Sequence, residues 1–209
     1  MNSKQTPILS PGKLPVMEHF YTIQGEGFNS GTPCYFIRLA GCDVGCVWCD
    51  VKESWDADAH PYLRIDEIVD LVKKSGAPYA VITGGEPLMY DCGELCAALH
   101  KEGIQTFIET SGAHPLTGEW DWICLSPKKF KAPLPEIFEK ADELKIIIFH
   151  KSDFKWAEEF VPLLKPITRL YLQPEWSKSD DVLPMIIDYI KENPKWKLSL
   201  QTHKFIHIP

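Results

Sequence analysis

The sequence predicts an α/β fold: an open, partial barrel of mostly parallel strands with helices outside. Three observations carry this. From about residue 34 onward, short apolar runs rich in strand formers alternate with stretches of helical periodicity. About six of those runs read as core strands, too few for a closed eight-stranded barrel. Polar motifs follow the runs directly, and in parallel sheets chemistry gathers at the carboxyl ends of the strands.

In chain order, residues 1–15 hold three prolines and few apolar side chains and read as a loose arm. Val16 to Thr22 reads as an extended segment, followed by the Gly-rich loop QGEGFNSG. Cys34 to Leu39 (CYFIRL) is a strand, and a cysteine-rich loop follows it. Ile65, Ile68, Val69 and Val72 recur at helical spacing, with Gly76 as the stop. Tyr79 to Thr83 (YAVIT) is a short buried strand that runs into GGEP. Leu95, Cys96 and Leu99 share one face of the next helix, which Gly103 ends. Ile104 to Glu109, Trp122 to Leu125, Leu144 to Phe149 and Arg169 to Gln173 are four further strands. Helical segments lie around Phe154 to Leu164 and Val182 to Lys191. Five motifs then share one rim: the cysteine loop, GGEP, ETSG, SPK and QPEW.

The chain of 209 residues fits a single domain, and no repeat or low-complexity tract divides it. A net charge of −7 argues against a primary electrostatic nucleic-acid binder. The N-terminus lacks the apolar core of a signal peptide, and no apolar stretch has the length of a membrane span. Seven cysteines without the regular spacing of a disulfide framework point to the reducing cytoplasm, where thiolates stay available for metal.

The cysteines that matter most are Cys42, Cys46 and Cys49, in a C-x3-C-x2-C spacing. Iron–sulfur clusters are held by cysteine thiolates, four to a cluster in the ferredoxin pattern. Three leave one iron open, as a catalytic metal site requires. Trp48, next to Cys49, would shield such a cluster from water. Cys46-x2-Cys49 is also half of a zinc knuckle, but Cys34, Cys92, Cys96 and Cys124 supply no second pair at a workable distance. Cys92 and Cys96 stand at helical i, i+4 spacing and fit the apolar face of their helix; Cys34 and Cys124 fall in strand-like runs and read as core.

With GGEP after the next strand, the cysteine triplet resembles the radical S-adenosylmethionine superfamily, whose fold is a partial barrel of this kind. The resemblance implies a [4Fe-4S] cluster on Cys42, Cys46 and Cys49. Its open iron would chelate S-adenosylmethionine, and reduction would release a 5′-deoxyadenosyl radical. QGEG, Arg38, ETSG, SPK, QPEW and the end at Ile208-Pro209 make the chain similar, over almost its whole length, to the 7-carboxy-7-deazaguanine synthase family, a trimmed version of that fold. This implies a lyase that contracts 6-carboxy-5,6,7,8-tetrahydropterin to 7-carboxy-7-deazaguanine with release of ammonia, in 7-deazapurine (queuosine) biosynthesis. Ile23, Gln24, Gly25, Arg38, Thr83 and Pro209 would meet the pterin, Arg38 through its charged fork and Pro209 through its carboxylate. Gly85, Ser126, Pro127, Lys128, Gln173, Pro174, Glu175 and Trp176 would meet S-adenosylmethionine. A flavodoxin or ferredoxin would supply the electron, and relatives suggest a homodimer.

One position departs from the family pattern. Relatives carry Cys-Asp-Thr, whose threonine hydroxyl helps to bind Mg2+; here the run is Cys49-Asp50-Val51. Valine offers no oxygen to a hard cation. Asp50, waters and the substrate would have to hold the ion, or Asp50 acts only as an outer acceptor. Two other readings stay open on sequence alone. One is an activating enzyme of the same superfamily that puts a glycyl radical on a partner protein. The other is a zinc-stabilised binding module.

Overall fold

The computed structural model describes residues 12–209. Strand β1 (Lys13–Ile23) pairs antiparallel with β2 (Pro33–Leu39), and its first three residues pair with β3 (Tyr62–Arg64). The loose arm expected over residues 1–15 is therefore corrected: Lys13–Pro15 are ladder residues and Leu14 is buried. Residues 1–11 of that expected arm lie outside the described residues.

Helix α1 (Ile65–Ser75) follows β3. The Glu67 carboxylate accepts the Arg64 backbone N–H at its start, and Gly76 ends it in the left-handed conformation. Then come β4 (Tyr79–Gly84), α2 (Gly93–Lys101), β5 (Gln105–Thr110), β6 (Trp122–Leu125), β7 (Glu143–Ile148), α3 (Ser152–Phe160), β8 (Arg169–Pro174) and α4 (Ser179–Glu192). Short β9 (Trp196–Leu198) and α5 (Thr202–Ile206) end the chain. The nine strands form one sheet in the order β3-β1-β2-β4-β5-β6-β7-β8-β9. From β2 to β9 every pairing is parallel. The expected open, mostly parallel sheet is thus present, with seven parallel strands where about six were expected.

The strand period of two divides each strand between two environments. One face packs on helices through residues such as Ile37, Leu39, Ile82, Ile108, Leu125, Leu144, Ile146 and Leu172, all buried in two large clusters. Each such side chain contributes about 1.5–3 kcal/mol. The other face is apolar low down, where Cys34, Phe36, Val81 and Phe107 form a small cluster. It turns polar higher up, with Arg38, Thr83, Glu109, Lys145 and Gln173 lining a cavity.

Polar contacts, not a further strand pairing, close the side of this cavity. Thr202 donates to the Gly25 carbonyl through its backbone N–H (3.0 Å) and its hydroxyl (2.9 Å). Gly27 N–H donates to Ser199 Oγ (2.9 Å), and Gln201 Nε2 to Glu26 Oε1 (2.9 Å). The loop after β1 is thereby tied to the segment after β9. A Cβ at residue 25 would overlap the His203 ring. Gly25→Ala should push α5 away and cost about 1–3 kcal/mol. Urea denaturation would measure this, and a wild-type midpoint would show that the docking contributes nothing.

Candidate active site

The cavity takes its walls from the expected rim and from the loop after β1. Cys42, Cys46 and Cys49 all border it as free thiols. The backbone of the neighbouring motif anchors their loop: Gly85 N–H donates to Leu39 O (2.9 Å) and Glu86 N–H to Gly41 O (2.9 Å). A Cβ at residue 85 would run into Gly41 O and crowd Cys42. The Gly85 requirement is thus a close approach between two backbones.

Glu86 is 1% exposed and turns inward. Its carboxylate accepts from Leu88 N–H (3.1 Å), Thr110 Oγ1 (2.5 Å), Ser111 N–H (2.8 Å) and the Ser111 hydroxyl. One buried carboxylate so joins GGEP to ETSG. Asp43, beside Cys42, accepts from His114 Nε2 (2.9 Å) and Lys131 Nζ (2.6 Å), a second anchor of the cysteine loop.

Lys128 donates from Nζ to Ser126 O (2.7 Å) and Ser126 Oγ (2.6 Å), and lies 5.9 Å from the Trp48 ring centre. Burial pulls its ammonium below the usual lysine value. Burial likewise pushes the Cys46 thiol up to about 11, although the Lys128 charge works against the rise. It pushes Cys42 up as well. Trp176 packs edge-on against Phe205 of α5, and Lys204 sits over its ring while its Nζ donates to Asp50 Oδ2 (3.1 Å).

Farther along the cavity, Gln24 donates from Nε2 to Glu109 Oε1 (2.9 Å), and its own Oε1 accepts Glu26 N–H (3.0 Å). Arg38 and Thr83 are register partners on β2 and β4. Arg38 Nε is bonded to Glu18 Oε1 (2.6 Å); among the described residues no other partner engages the rest of its fork. Pro209 O accepts from Thr22 Oγ1 (3.3 Å) at the cavity edge. Of the residues expected to hold the cluster, S-adenosylmethionine or the pterin, all border this cavity except Pro127. Cys34, Cys92, Cys96 and Cys124 are buried in the body of the fold.

The family model of the radical SAM superfamily matches residues 36–150. A 7-carboxy-7-deazaguanine synthase from Flavobacterium psychrophilum is 56% identical over 94% of this chain and 93% of its own length. The chain belongs to the 7-carboxy-7-deazaguanine synthase family, within the radical SAM superfamily. The synthase of Synechocystis is 46% identical, covering 93% of each chain. The crystal structure of QueE from Escherichia coli aligns with a TM-score of 0.82 at 31% identity, over 90% of this chain and 93% of that one.

Membership of the synthase family implies a [4Fe-4S] cluster and S-adenosylmethionine, and the donor set fits the cluster. Cys42, Cys46 and Cys49 border one cavity as free thiols, the soft donors that an iron–sulfur cluster takes. Buried thiols with raised pKa values become thiolates only with a cation beside them, so cluster loading would release protons. Magnesium fits less well. The Val51 side chain brings no oxygen, its carbonyl already accepts from Ser54 Oγ (2.7 Å), and Asp50 pairs with Lys204.

Sequence reasoning missed Lys145 and His203, and gave Glu26, inside QGEG, no role of its own. Lys145 is 3% exposed, and its Nζ donates to Glu26 Oε2 and to Glu109 Oε2 (3.0 Å). Burial alone would raise the Glu26 carboxyl, but the Lys145 charge and hydrogen bonds from Lys145, Gln201 and Gln173 hold it well below the usual value. Burial would lower Lys145, yet Glu109 and Glu26 keep it well above the usual lysine value. The signal was a lone cation inside the run ELKIII, two residues after Glu143, which marks a strand face that is not core.

Proposed function

We propose that this chain converts 6-carboxy-5,6,7,8-tetrahydropterin to 7-carboxy-7-deazaguanine with release of ammonia, as the synthase names of its relatives suggest. The observation that carries the reading is one cavity bordered by two chemically distinct sets of residues: the three cysteines with Gly85 and Lys128, and the polar set Gln24, Arg38, Thr83 and Glu109.

When bound, the reduced cluster supplies the electron that cleaves S-adenosylmethionine and so starts hydrogen abstraction from the pterin. The protein positions the partners and excludes water. Gly85, Ser126 to Lys128 and Gln173 to Trp176 are the groups we assign to S-adenosylmethionine. Ile23, Gln24, Gly25, Arg38, Thr83 and Pro209 are those we assign to the pterin. The unpaired part of the Arg38 fork suits a carboxylate, which a planar guanidinium can grip through two parallel bonds. Trp48, Trp55 and Trp176 line the walls and keep water from the reacting atoms. Val47, at 70% exposure between two of the cysteines, puts the cysteine loop at the surface, where a flavodoxin or ferredoxin would deliver its electron.

The test is an anaerobic incubation of the iron-loaded protein with reductant, S-adenosylmethionine and the carboxypterin. The expected result is 7-carboxy-7-deazaguanine by mass and one ammonia per product. S-adenosylmethionine consumption without the pterin, and no deazaguanine with it, would overturn the reading.

A further inference from the structure

The polar set of cavity residues rests on a buried ion cluster to which the functional reading gives no task. Lys145 touches Glu26, from the loop after β1, and Glu109, at the end of β5. Glu109 in turn holds the Gln24 amide, whose other end accepts the Glu26 backbone N–H. These four residues close a ring, and all four border the cavity. A buried ion pair is a poor source of stability, since desolvation offsets most of the attraction and an apolar replacement is often neutral or better. An ion cluster placed where stability does not require one is accounted for by what it holds in place.

We propose that Lys145 is a positioning residue for the pterin site: it holds Glu26 and Glu109 in one geometry and thereby fixes the Gln24 amide and the acceptor pattern presented to the substrate. This rests on the pterin reading above. The groups facing Glu26 are Lys145, Glu109 on β5, Cys124 on β6, Gln173 on β8, and Gln201 and His203 at α5. Lys145 supplies the charge that opposes burial at Glu26; its loss leaves only the hydrogen bonds from Gln201 and Gln173 against burial, and the carboxyl shifts upward. In Lys145→Met, Glu26 should therefore carry a proton at low pH and lose it as pH rises, and pterin binding should improve with pH over that window. In the wild type Glu26 stays ionised, and this dependence should be absent.

The experiment is a double-mutant cycle of Lys145→Met and Glu26→Gln. Its readouts are KM and kcat for the pterin across pH, the Kd of S-adenosylmethionine, and iron content. A charge-assisted hydrogen bond corresponds to about a tenfold effect or more. Lys145→Met should raise the pterin KM by about that factor at neutral pH, with the new pH dependence and with S-adenosylmethionine affinity and iron unchanged. The double variant, which leaves no carboxylate facing an absent cation at residue 26, should bind pterin no worse than Glu26→Gln alone. An unchanged KM with a flat pH profile would overturn the proposal. So would multiplying effects in the double variant, or equal losses for both ligands. If Lys145→Met fails to fold, Glu26→Gln and the double variant decide by the same criterion: a wild-type pterin KM in both overturns it. A wild type that makes no deazaguanine would instead defeat the functional reading, so the two failures are distinguishable.

Discussion

Replacing Cys46 with alanine should strip the protein of iron and sulfide and bring deazaguanine formation below detection, while the metal-free protein unfolds close to the metal-free wild type. Cys46 is buried beside Lys128 on the cavity wall, so its loss would remove one of the three thiolates we assign to the cluster and not a part of the main core. Even an outer-shell partner of a metal site is worth about 10–100-fold in affinity or activity, and a direct ligand is worth more. The informative control is Cys92→Ala. Cys92 is fully buried in the core against α1 and α2, its Sγ 3.7 Å from Pro87 O. That variant should lose about 1–2 kcal/mol of stability to the cavity it leaves, yet keep its iron. Iron analysis, sulfide analysis and turnover decide the matter. A Cys46→Ala protein with full iron and activity would remove the cysteine triplet from the chemistry.

The parts of the fold that could be read from sequence are those whose burial is local and periodic. The α1 stripe of Ile65, Ile68, Val69 and Val72 is one, and the apolar run YAVIT is another. The rim could be read for a related reason: a strand that ends in glycine, serine or proline beside charged residues is leaving the core for a site. What could not be read is held by partners far away in the chain. Strands β3 and β9 have three residues each, too few for a period to show. Lys13–Pro15 looks like an arm because its proline and lysine tell against a central strand, and only the edge pairing with β3 admits them. Helix α5 has five residues and depends on Gly25, more than 170 residues away in sequence.

The same division runs through the site. Gly85 reads as a contact for S-adenosylmethionine, but the group that demands a glycine there, the Gly41 carbonyl, is set by the β2–β4 register and not by neighbours in sequence. Gln24 reads as a substrate donor, yet both ends of its amide are already engaged by Glu109 and the Glu26 backbone. Lys145 is the converse case, a charge that propensity would place on the surface and that the strand period places inside.

Glu86→Ala should cost about 3 kcal/mol and weaken S-adenosylmethionine binding together with it, because the carboxylate it removes is the one link between GGEP and ETSG identified among the described residues. Two of its donors are the backbone N–H groups of Leu88 and Ser111, which cannot turn away to find other partners. Each buried donor left unmet costs about 1–3 kcal/mol. The Thr110 and Ser111 hydroxyls can rotate, and Thr110 Oγ1 already serves the Gly112 N–H (2.9 Å), so their loss is the smaller part. Glu86→Gln separates the size of the side chain from its acceptors. It fills the same space but offers one oxygen, and its amide N–H2 then faces at least one donor. It should fall between the wild type and Glu86→Ala in urea midpoint. Both variants loosen the backbone whose N–H groups clamp the cysteine loop at Leu39 O and Gly41 O, so iron retention should fall in the same order. A Glu86→Ala protein with a wild-type midpoint and full iron would show that the strands alone hold the rim in place, and that Glu86 is an accessory to it.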